Sequence, residues 1–438
     1  MTKTLGLLFI LLFSAAFYRA SALTVCAEPA TIVVPDDYST IQAAINAANI
    51  GDTIFVREGT YEEPINQTVV VDKTLAIVGE IANGTLIKLY PAYNVTWILT
   101  QSFYEFADAM TIIADDVKIS NLTIMAYPGG EISITGDRTQ IMGNNITTRI
   151  AIKGSYCNVT ENMLSNMLSI EGSLNTITRN HARYLRFENS DSNVIRNNTC
   201  YSINLHNSNH SLIYGNLLAT TSYQYSGISL AYSNNNTVCR NKVYGFNRGL
   251  SLFFSSINTI MVNTIANSST TINLSGSFNN TFYQNNFVDN QYWYNEYVED
   301  EFTDPWFRET YPNTMVSTNF WDNGSLGNHW GNYNGSDINF DGIGEMPYIM
   351  KIVIGYFNGS NEEVVCGRDN FPLMSGVDIN NAKVELPEWL INSLPEPVEP
   401  ETQEQEIMPI ALIAGAIVLV VAALGGVFLL VNFKKRKH

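Results

Sequence analysis

The sequence predicts an all-β fold, a parallel β-helix in which short strands stack along one axis. Two repeating patterns indicate this fold. An apolar-x-apolar-x-x-Ser pattern occurs seven times, and an asparagine follows each serine by seven or eight residues. Apolar residues at alternate positions form a short strand with one buried face, whereas a helical repeat needs longer segments with a 3.6-residue period. The serines of the pattern are Ser155, Ser173, Ser190, Ser208, Ser233, Ser255 and Ser277.

The repeated asparagines are predicted to lie at equivalent turns and to hydrogen-bond from rung to rung as an amide ladder. Such a ladder satisfies backbone groups that a buried turn would leave unpaired. A β-sandwich with asparagine-rich loops would not keep two registers over seven repeats, so we favour the solenoid. The predicted ladder consists of Asn121, Asn144, Asn162, Asn180, Asn198, Asn216, Asn241, Asn263 and Asn285.

A capping helix is predicted before the coil, because the open end of a solenoid would otherwise pair with other molecules. Ser39 and Gln42 have the spacing of a capping box, and isoleucines and alanines form one apolar face up to Gly51. With this cap, the β-helix is predicted to span residues 23–290.

Beyond Asn290 the repeat stops, and residues 291–382 are rich in aromatic and acidic side chains. These rings either plug the end of the coil or stack on sugars, and we favour the plug. Residues 383–406 are rich in proline and glutamate and are predicted to form an extended stalk. The aromatic residues in question are Tyr292, Trp293, Tyr294, Tyr297, Trp306, Phe307, Trp321, Trp330 and Tyr333.

Both ends of the chain carry membrane signals. Residues 1–22 combine Lys3, an apolar run and a small-x-small site, which indicates a secretory signal peptide. Residues 407–433 are predicted to be one transmembrane helix, because Met408 to Phe433 contain no charge. Residues 434–438 form a basic cytoplasmic tail. The expected location is therefore the cell membrane, with the N-terminal bulk outside at the cell surface.

The composition excludes one class of partner. Only 15% of residues are charged and the net charge is −17, without clustered lysine and arginine outside the termini, so nucleic-acid binding is not expected. Five widely spaced cysteines form neither a disulfide framework nor a metal-type pair. Fifteen Asn-x-Ser/Thr triplets agree with an exported glycoprotein, although many arise by chance in an asparagine-rich chain. Their asparagines are Asn66, Asn83, Asn94, Asn121, Asn145, Asn158, Asn197, Asn209, Asn235, Asn267, Asn273, Asn279, Asn323, Asn334 and Asn358.

The opening of the coil, Thr40 to Ile45 with Gly51 to Ile54 and Gly59 to Tyr61, resembles the first rung of pectin-lyase-like right-handed β-helices. The repeats resemble the NosD-type family, which is grouped with carbohydrate-binding and sugar-hydrolase β-helices. The segments from Gly331 to Tyr348 and from Phe371 to Met374 are similar to the closing part of archaeal surface members. The resemblance covers roughly residues 30 to 376 and implies a right-handed fold. It does not imply one activity, because this fold carries lyases, hydrolases, esterases and binders.

Candidate catalytic residues come from two outward columns of the repeated strand. Glu171 and Glu188 are expected one rung apart, roughly 5 Å, with Arg186 beside them and His206 above. Two carboxylates at that distance suit a retaining glycosidase or a divalent cation, whereas the alternative is a charge-compensated solvent face, which we favour. The first column is Ala151, Ser169, Arg186, Asn204, Ser229, Ser251 and Asn273, and the second is Lys153, Glu171, Glu188, His206, Ala231, Phe253 and Ser275.

One local motif is typical of a calcium loop. Asp337, Asn339 and Asp341 supply oxygen ligands at positions 1, 3 and 5, Gly342 permits the sharp turn, and Glu345 adds a carboxylate. The alternative is a metal-free turn rich in Asx residues, because the carboxylate at position 12 is missing. Copper is not supported, since the four histidines of the exported part show no metal-ligand spacing with cysteine or methionine.

The sequence therefore favours a membrane-anchored, glycosylated surface β-helix that is a binder rather than an enzyme and whose partners are carbohydrate or other cell-envelope components. Two alternatives stay open. One is a surface polysaccharide lyase or glycoside hydrolase that uses the face with Glu171 and Glu188. The other is an accessory protein in metal or cofactor maturation, which rests on the family resemblance alone.

Overall fold

The computed structural model describes residues 28–91, 107–127, 129–220, 225–296, 318–355 and 361–384. The predicted signal peptide, transmembrane helix and basic tail lie outside these ranges, as does the predicted stalk beyond residue 384. Over the described residues the chain forms a parallel β-solenoid, which confirms the predicted all-β class. Within those residues no helix has the length and apolar character needed to cross a membrane.

Three columns of strands run along the coil. The first is a 12-stranded parallel sheet with one strand from each turn. Its strands are β1 (Thr31–Val34), β2 (Thr53–Val56), β5 (Ala76–Gly79), β8 (Lys118–Ser120), β11 (Gln140–Met142), β14 (Asn158–Thr160), β16 (Thr176–Thr178), β18 (Val194–Arg196), β20 (Leu212–Tyr214), β23 (Thr237–Cys239), β26 (Thr259–Met261) and β29 (Thr281–Tyr283).

The other two columns share three long strands in the middle of the coil, β15 (Met163–Ile170), β17 (His181–Glu188) and β19 (Thr199–His206). The second column also contains β3 (Gly59–Glu62), β6 (Thr85–Leu89), β9 (Thr123–Ala126), β12 (Asn145–Ile146), β21 (Leu217–Ala219), β24 (Lys242–Tyr244), β27 (Thr264–Ala266), β30 (Asn286–Val288) and β32 (His329–Trp330). The third also contains β4 (Val69–Val71), β7 (Asp108–Ile112), β10 (Glu131–Ile134), β13 (Arg149–Ile152), β22 (Ser226–Ala231), β25 (Arg248–Phe253), β28 (Thr270–Ser275) and β31 (Tyr292–Glu296).

The core is a stack of aliphatic side chains, because the strands pair in register and like residues fall on like residues. In the third column Ile150 pairs with Leu168, and Ile152 pairs with Ile170. All four side chains are buried in the continuous apolar cluster. The alternation of buried and outward positions follows from the period of two in a strand.

A short helix, α1 (Ile41–Ala47), packs against β1, β2 and β4. The predicted capping box is wrong in detail. Thr40, not Ser39, is the N-cap, and its hydroxyl accepts the N–H of Ala43 at 3.2 Å. Gln42 instead binds the free edge of β4, where its side chain accepts the N–H of Val70 at 2.7 Å and donates to the same residue's carbonyl. An amide can therefore replace a neighbouring strand at this edge.

Two charged side chains of the coil hold the ends of α1. Buried Glu63 accepts the first two helical N–H groups, the nearer at 2.6 Å. Lys73 donates to three carbonyl oxygens around the last turn at 2.9–3.1 Å. Both ends of the helix leave such groups unsatisfied, and the charges match the helix dipole. No local sequence pattern marks either residue, because each lies 21 or more positions from the groups it binds.

The asparagine ladder runs through the interior from Asn144 to Asn285, and every member is buried. Asn198 illustrates the pattern. Its Oδ1 accepts the backbone N–H of Asn180 at 2.9 Å and the side-chain N–H of Asn180 at 3.0 Å. Its own Nδ2 donates to the carbonyl of Ile177 at 2.8 Å. Each amide thus joins two rungs and satisfies a strand carbonyl.

Asn121 is not part of this ladder. The equivalent position is Leu122, whose N–H donates to Asn144 at 3.0 Å. Asn121 precedes it as an exposed residue with φ of 57°, a conformation that asparagine tolerates. At the other end the ladder continues to Asn328, which accepts from Asn285. The separation of 43 residues hid that last rung from the sequence pattern.

A second amide ladder and a serine ladder lie at neighbouring turns. Ser155 and Ser173 are not members of the serine ladder, because Ser173 accepts the N–H of Asp191 rather than of Ser190. The equivalent residue is Gly172, where an added Cβ would lie 1.9 Å from the carbonyl oxygen of Gly154. The serine ladder contains Ser190, Ser208, Ser233, Ser255 and Ser277, and the second amide ladder contains Asn175, Asn193, Ser211, Asn236, Asn258, Asn280 and Asn319.

The C-terminal end of the coil is closed by tryptophans and an antiparallel hairpin of β33 (Tyr348–Gly355) and β34 (Asn361–Asp369). The coil does not stop at Asn290, since β31 and β32 still pair with it. Trp321 stacks on the core ring of Phe282 at 4.5 Å, and Trp330 stacks on Tyr348 at 4.3 Å. Both tryptophans are fully buried, so these two act as the predicted plug. Tyr297, Trp306 and Phe307 lie outside the described residues.

Candidate functional site

The candidate site lies on the outward side of the third column. Five strands of this column each have one outward residue between two inward apolar residues: β17, β19, β22, β25 and β28. These outward residues pair in register along the axis of the coil. We call these residues the polar column, which consists of Arg186, Asn204, Ser229, Ser251 and Asn273. The amide and hydroxyl groups of this column can both donate and accept hydrogen bonds, whereas the guanidinium of Arg186 only donates. Arg186 is exposed and Asn204 and Ser229 are half-buried, whereas the short side chains of Ser251 and Asn273 are buried among their neighbours.

The four predicted catalytic candidates are only partly brought together. Glu188 forms an ion pair with Arg186 at 2.9 Å, and Glu188 pairs with His206 in the strand register. Glu171 is exposed and takes part in no ion pair among the described residues. The arrangement is therefore a neutralised Arg–Glu pair beside a histidine, rather than two free carboxylates that face one substrate.

An aromatic cluster flanks the polar column on the side where the strands end. This aromatic corner consists of His206, Tyr232, Phe253 and Phe254. The rings of Tyr232 and Phe254 are parallel within 6° at 5.6 Å, and the ring of Phe253 meets both edge-on. Tyr232 is 44% exposed and Phe254 37% exposed, so flat ring surface is available to a ligand.

Two residues of the aromatic corner have an unusual backbone. Tyr232 has φ of 51° and Phe254 has φ of 44°. The equivalent corner residues of the flanking rungs are Asn207 and Gly276, which adopt this conformation at lower cost. The ring of Phe254 also lies over Gly276, where an added Cβ would come within 2.6 Å of it. Other corners of the coil also carry bulky residues in this conformation, such as Tyr156, Leu174 and Ile257, so the stacked, exposed rings rather than the backbone distinguish the aromatic corner.

A second group of rings flanks the column on the side where the strands begin. This tyrosine cluster consists of Tyr184, Tyr201 and Tyr225. Tyr184 meets the other two rings nearly edge-on at 6.4 and 6.2 Å, and the guanidinium of Arg183 lies 5.3 Å from its centre. Tyr201 and Tyr225 are half exposed. All strands run in the same direction, so Tyr184 and Phe253 lie on opposite sides of the polar column.

Charges are concentrated at the N-terminal end of this face. Glu131 and Arg149 form an ion pair at 2.8 Å, and burial raises the pKa of the Glu131 carboxyl while Arg149 lowers it. Arg186 is the last charged member of the polar column. From Asn204 to Asn273 the column contains only amides and hydroxyls, and the outward column beside it continues with alanine, phenylalanine and serine.

The predicted calcium loop folds as a turn rich in Asx hydrogen bonds. Asp337 accepts the N–H groups of Asp341 and Gly342 at 3.2 and 2.9 Å, and Asn339 also accepts the former at 3.1 Å. The Glu345 backbone donates to Ser336. Among the described residues, no three carboxylate, imidazole or thiol side chains are grouped so that they could hold a metal ion. The hydrogen bonds draw the oxygens of Asp337 and Asn339 to one side of the loop.

The histidines and cysteines do not fit a copper site. His181 and His206 lie at opposite ends of their strands, and the four described cysteines are free and buried. Burial raises the pKa of the Cys157 thiol to about 11 and that of Cys239 to about 12, and it also raises that of Cys200. Copper needs accessible thiolate or imidazole ligands. The histidines and cysteines of the described ranges therefore do not suit copper.

Comparison with known proteins gives one family-model match and several distant structural likenesses. The family model described as "Periplasmic copper-binding protein (NosD)" matches residues 132–335, a little under half of the chain. No curated protein matches the sequence. Among the solved structures similar to it is the A-module of mannuronan C-5 epimerase AlgE6 from Azotobacter vinelandii, with 15% identity over 64% of this chain and 93% of that one and a TM-score of 0.40. Another is a PL6 alginate lyase in complex with a trisaccharide, with 9% identity over 78% of this chain and 92% of that one and a TM-score of 0.39. At these identities the likeness does not carry an activity to this chain.

Proposed function

We propose that this NosD-type β-helix is a non-catalytic protein of the cell surface that binds polysaccharide along the outward side of its third column. The observation that carries the proposal is the aromatic corner, where Tyr232 and Phe254 stack in a left-handed conformation that their neighbours leave to asparagine and glycine. Exposed flat rings beside hydrogen-bonding side chains are the features that recognise a sugar.

The length of the site suits a polymer. The polar column repeats one donor and acceptor position at each rung, and neighbouring rungs are about 4.8 Å apart. The aromatic corner and the tyrosine cluster lie on its two sides. A chain of sugars that follows the axis would therefore meet the same kind of contact several times.

Removal of the aromatic corner is expected to weaken binding. Each stacked ring contributes about 1 kcal/mol, so the double variant Tyr232→Asn/Phe254→Asn should lose roughly tenfold or more in affinity. Asparagine is the natural residue at this corner in other rungs, so the fold should be retained. Affinity electrophoresis of the full-length chain in gels that contain single polysaccharides measures the effect.

Tyr156→Asn is the matched control, because Tyr156 is an exposed tyrosine with φ of 58° at a different corner. It should migrate like the wild type. If no polysaccharide retards the wild-type chain, or if both variants lose binding equally, the proposed site is wrong.

The non-catalytic part of the proposal rests on the Arg186–Glu188 ion pair, which occupies the carboxylate that a glycosidase would need free. The alternative, a lyase or hydrolase, predicts product release. The same polysaccharides can be assayed for new reducing ends and for unsaturated uronate absorbance, and either product would overturn this part of the proposal. Metal or cofactor maturation has no observation in its favour.

Anchoring by residues 407–433, glycosylation and an extracellular location complete the proposal, and they rest on the sequence patterns. Three of the Asn-x-Ser/Thr triplets are also explained by the repeat of the coil itself. At Asn197, Asn235 and Asn279, an exposed asparagine in the left-handed region precedes a ladder asparagine and the threonine that begins a strand. The register produces Asn-Asn-Thr at these places whether or not a glycan is attached.

Calcium binding by the loop of Asp337, Asn339, Asp341 and Glu345 is a separate proposal. If the loop binds calcium, the ion neutralises carboxylates that otherwise repel each other. The melting temperature should then rise with millimolar calcium and fall with chelator, because a ligand that binds only the folded state stabilises it. Asp341→Ala should abolish that difference, whereas equal melting curves for the wild type in calcium and in chelator would leave a metal-free turn.

A further inference from the structure

The charge pattern of the site indicates what kind of polysaccharide it takes. We propose that the ligand is a neutral, hydroxyl-rich polysaccharide that binds between Asn204 and Asn273, and that it is not a polyuronate or another polyanion. This inference rests on the proposed function and narrows it to one class of ligand.

Among the described residues, the aromatic corner and the polar column from Asn204 onward contain no carboxylate, ammonium or guanidinium group. Beside the aromatic corner, the polar column consists of Ser229, Ser251 and Asn273, with Ala231 and Ser275 in the next column. The Nδ2 of Asn273 lies 3.5 Å from the hydroxyl of Ser251. Hydroxyls and amides match sugar hydroxyls, but a row of carboxylates would have to lose water with the single guanidinium of Arg248 in β25 to pair with.

Three of the arginines on this face already contact a carboxylate or a ring. Arg186 is engaged by Glu188 at 2.9 Å, and Arg149 is engaged by Glu131 at 2.8 Å. Arg183 lies over the ring of Tyr184. These three guanidinium groups lie on rungs before that of Tyr232. One further cation, the exposed Arg248, begins β25 and so lies on the side of the tyrosine cluster rather than beside the aromatic corner.

The negative net charge of the chain also disfavours a polyanionic ligand. The chain carries a net charge of −17, so a polyanion would be repelled at a distance and would meet no row of basic side chains on arrival. A neutral polymer is not repelled by the net charge and does not need basic side chains to bind. Its binding energy would come from ring stacking and hydrogen bonds, which salt screens little.

Charge substitutions in the column test this inference. Ser229 is half-buried in the middle of the polar column, and Ser229→Lys and Ser229→Asp introduce opposite charges at one point. For a neutral ligand both variants should weaken binding to a similar extent, about threefold to tenfold, because each charge loses water. For a polyanion the lysine should strengthen binding and the aspartate should weaken it.

The full-length chain is run in gels that contain mannan, xylan or dextran as neutral probes and alginate or polygalacturonate as acidic probes. Thr176→Lys and Thr176→Asp on the first column are the matched controls and should not change migration. The expected result is retardation by a neutral probe that persists when salt is raised tenfold. Retardation by acidic probes alone, strengthened by Ser229→Lys and lost in salt, would overturn the neutral ligand but leave polysaccharide binding intact. Lack of retardation by every probe would overturn both.

Discussion

Replacement of a single ladder asparagine is expected to destabilise the whole coil. In Asn198→Leu, the backbone N–H of Asn180 and the carbonyl of Ile177 lose their partners inside the protein. Each buried unsatisfied group costs about 1–3 kcal/mol, so the free energy of unfolding should fall by about 2–6 kcal/mol. Urea unfolding of the purified full-length chain, followed by circular dichroism, measures this loss.

Asn204→Leu is the matched control, since it makes the same change at a half-buried outward position. The side chain of Asn204 donates to Ser202 at 3.0 Å and does not join two rungs. Its cost should stay below about 1 kcal/mol, as for most surface changes. Equal losses for the two variants would contradict the ladder as a source of stability.

Acidification from pH 7 to about 4.5 is expected to strengthen the closed C-terminal end through Asp369. This fully buried carboxylate accepts the N–H of Asn328 at 2.7 Å and that of the Trp330 ring at 2.9 Å. It therefore takes the place of the next rung at the end of the ladder. Burial raises its pKa from 3.8 to about 6, although the N–H donors act in the opposite direction.

The sign follows from proton binding. Between pH 4 and 6 the folded state holds a proton that the unfolded state releases, so the contribution of Asp369 is present at low pH and is lost as pH rises through 6. Two pKa units correspond to about 3 kcal/mol. Relative to Asp369→Asn, the wild type should gain on this order between pH 7 and 4.5, measured by urea unfolding with tryptophan fluorescence, because Trp330 contacts the group.

Asp378→Asn is the control for general acid effects. The carboxyl of Asp378 is exposed, and the N–H of Asn380 holds its pKa below the usual value. Its contribution is present at neutral pH and is lost on acidification, so this variant should not reproduce the effect. Parallel stability profiles of the wild type and Asp369→Asn between pH 4.5 and 7 would contradict the prediction.

The repeated part of the fold could be predicted because its information is local and periodic. Alternate apolar residues define the strands, and the amides from Asn144 to Asn285 mark one turn. The predicted ladders were wrong at positions where a shift of one residue changes the register of the repeat. Asn121 has the right residue type one position early, and Ser173 lies one position late because Asn189 adds a left-handed residue to the next rung.

Features without a period required the structure. The contacts of Glu63 and Lys73 with the ends of α1 join segments more than 20 residues apart, and no local pattern marks them. Asn328 continues the ladder after an interval that has no repeat. Asp369 reaches the same stack from a hairpin, so an acidic residue of an apparently irregular segment completes the interior.

By itself, the sequence determined that the chain coils, where the strands lie, which side chains point outward, and that the surface is acidic. Tertiary structure alone decided which outward side chains form a site. Tyr232 and Phe254 are 22 residues apart and look unremarkable in the repeat, yet the coil stacks them in parallel at one left-handed corner. Glu171 and Glu188 looked like a catalytic pair by spacing, but an ion pair with Arg186 engages one of them. The physical reason is that a periodic sequence fixes the position of each residue along the coil, whereas side-chain packing between rungs fixes its partners.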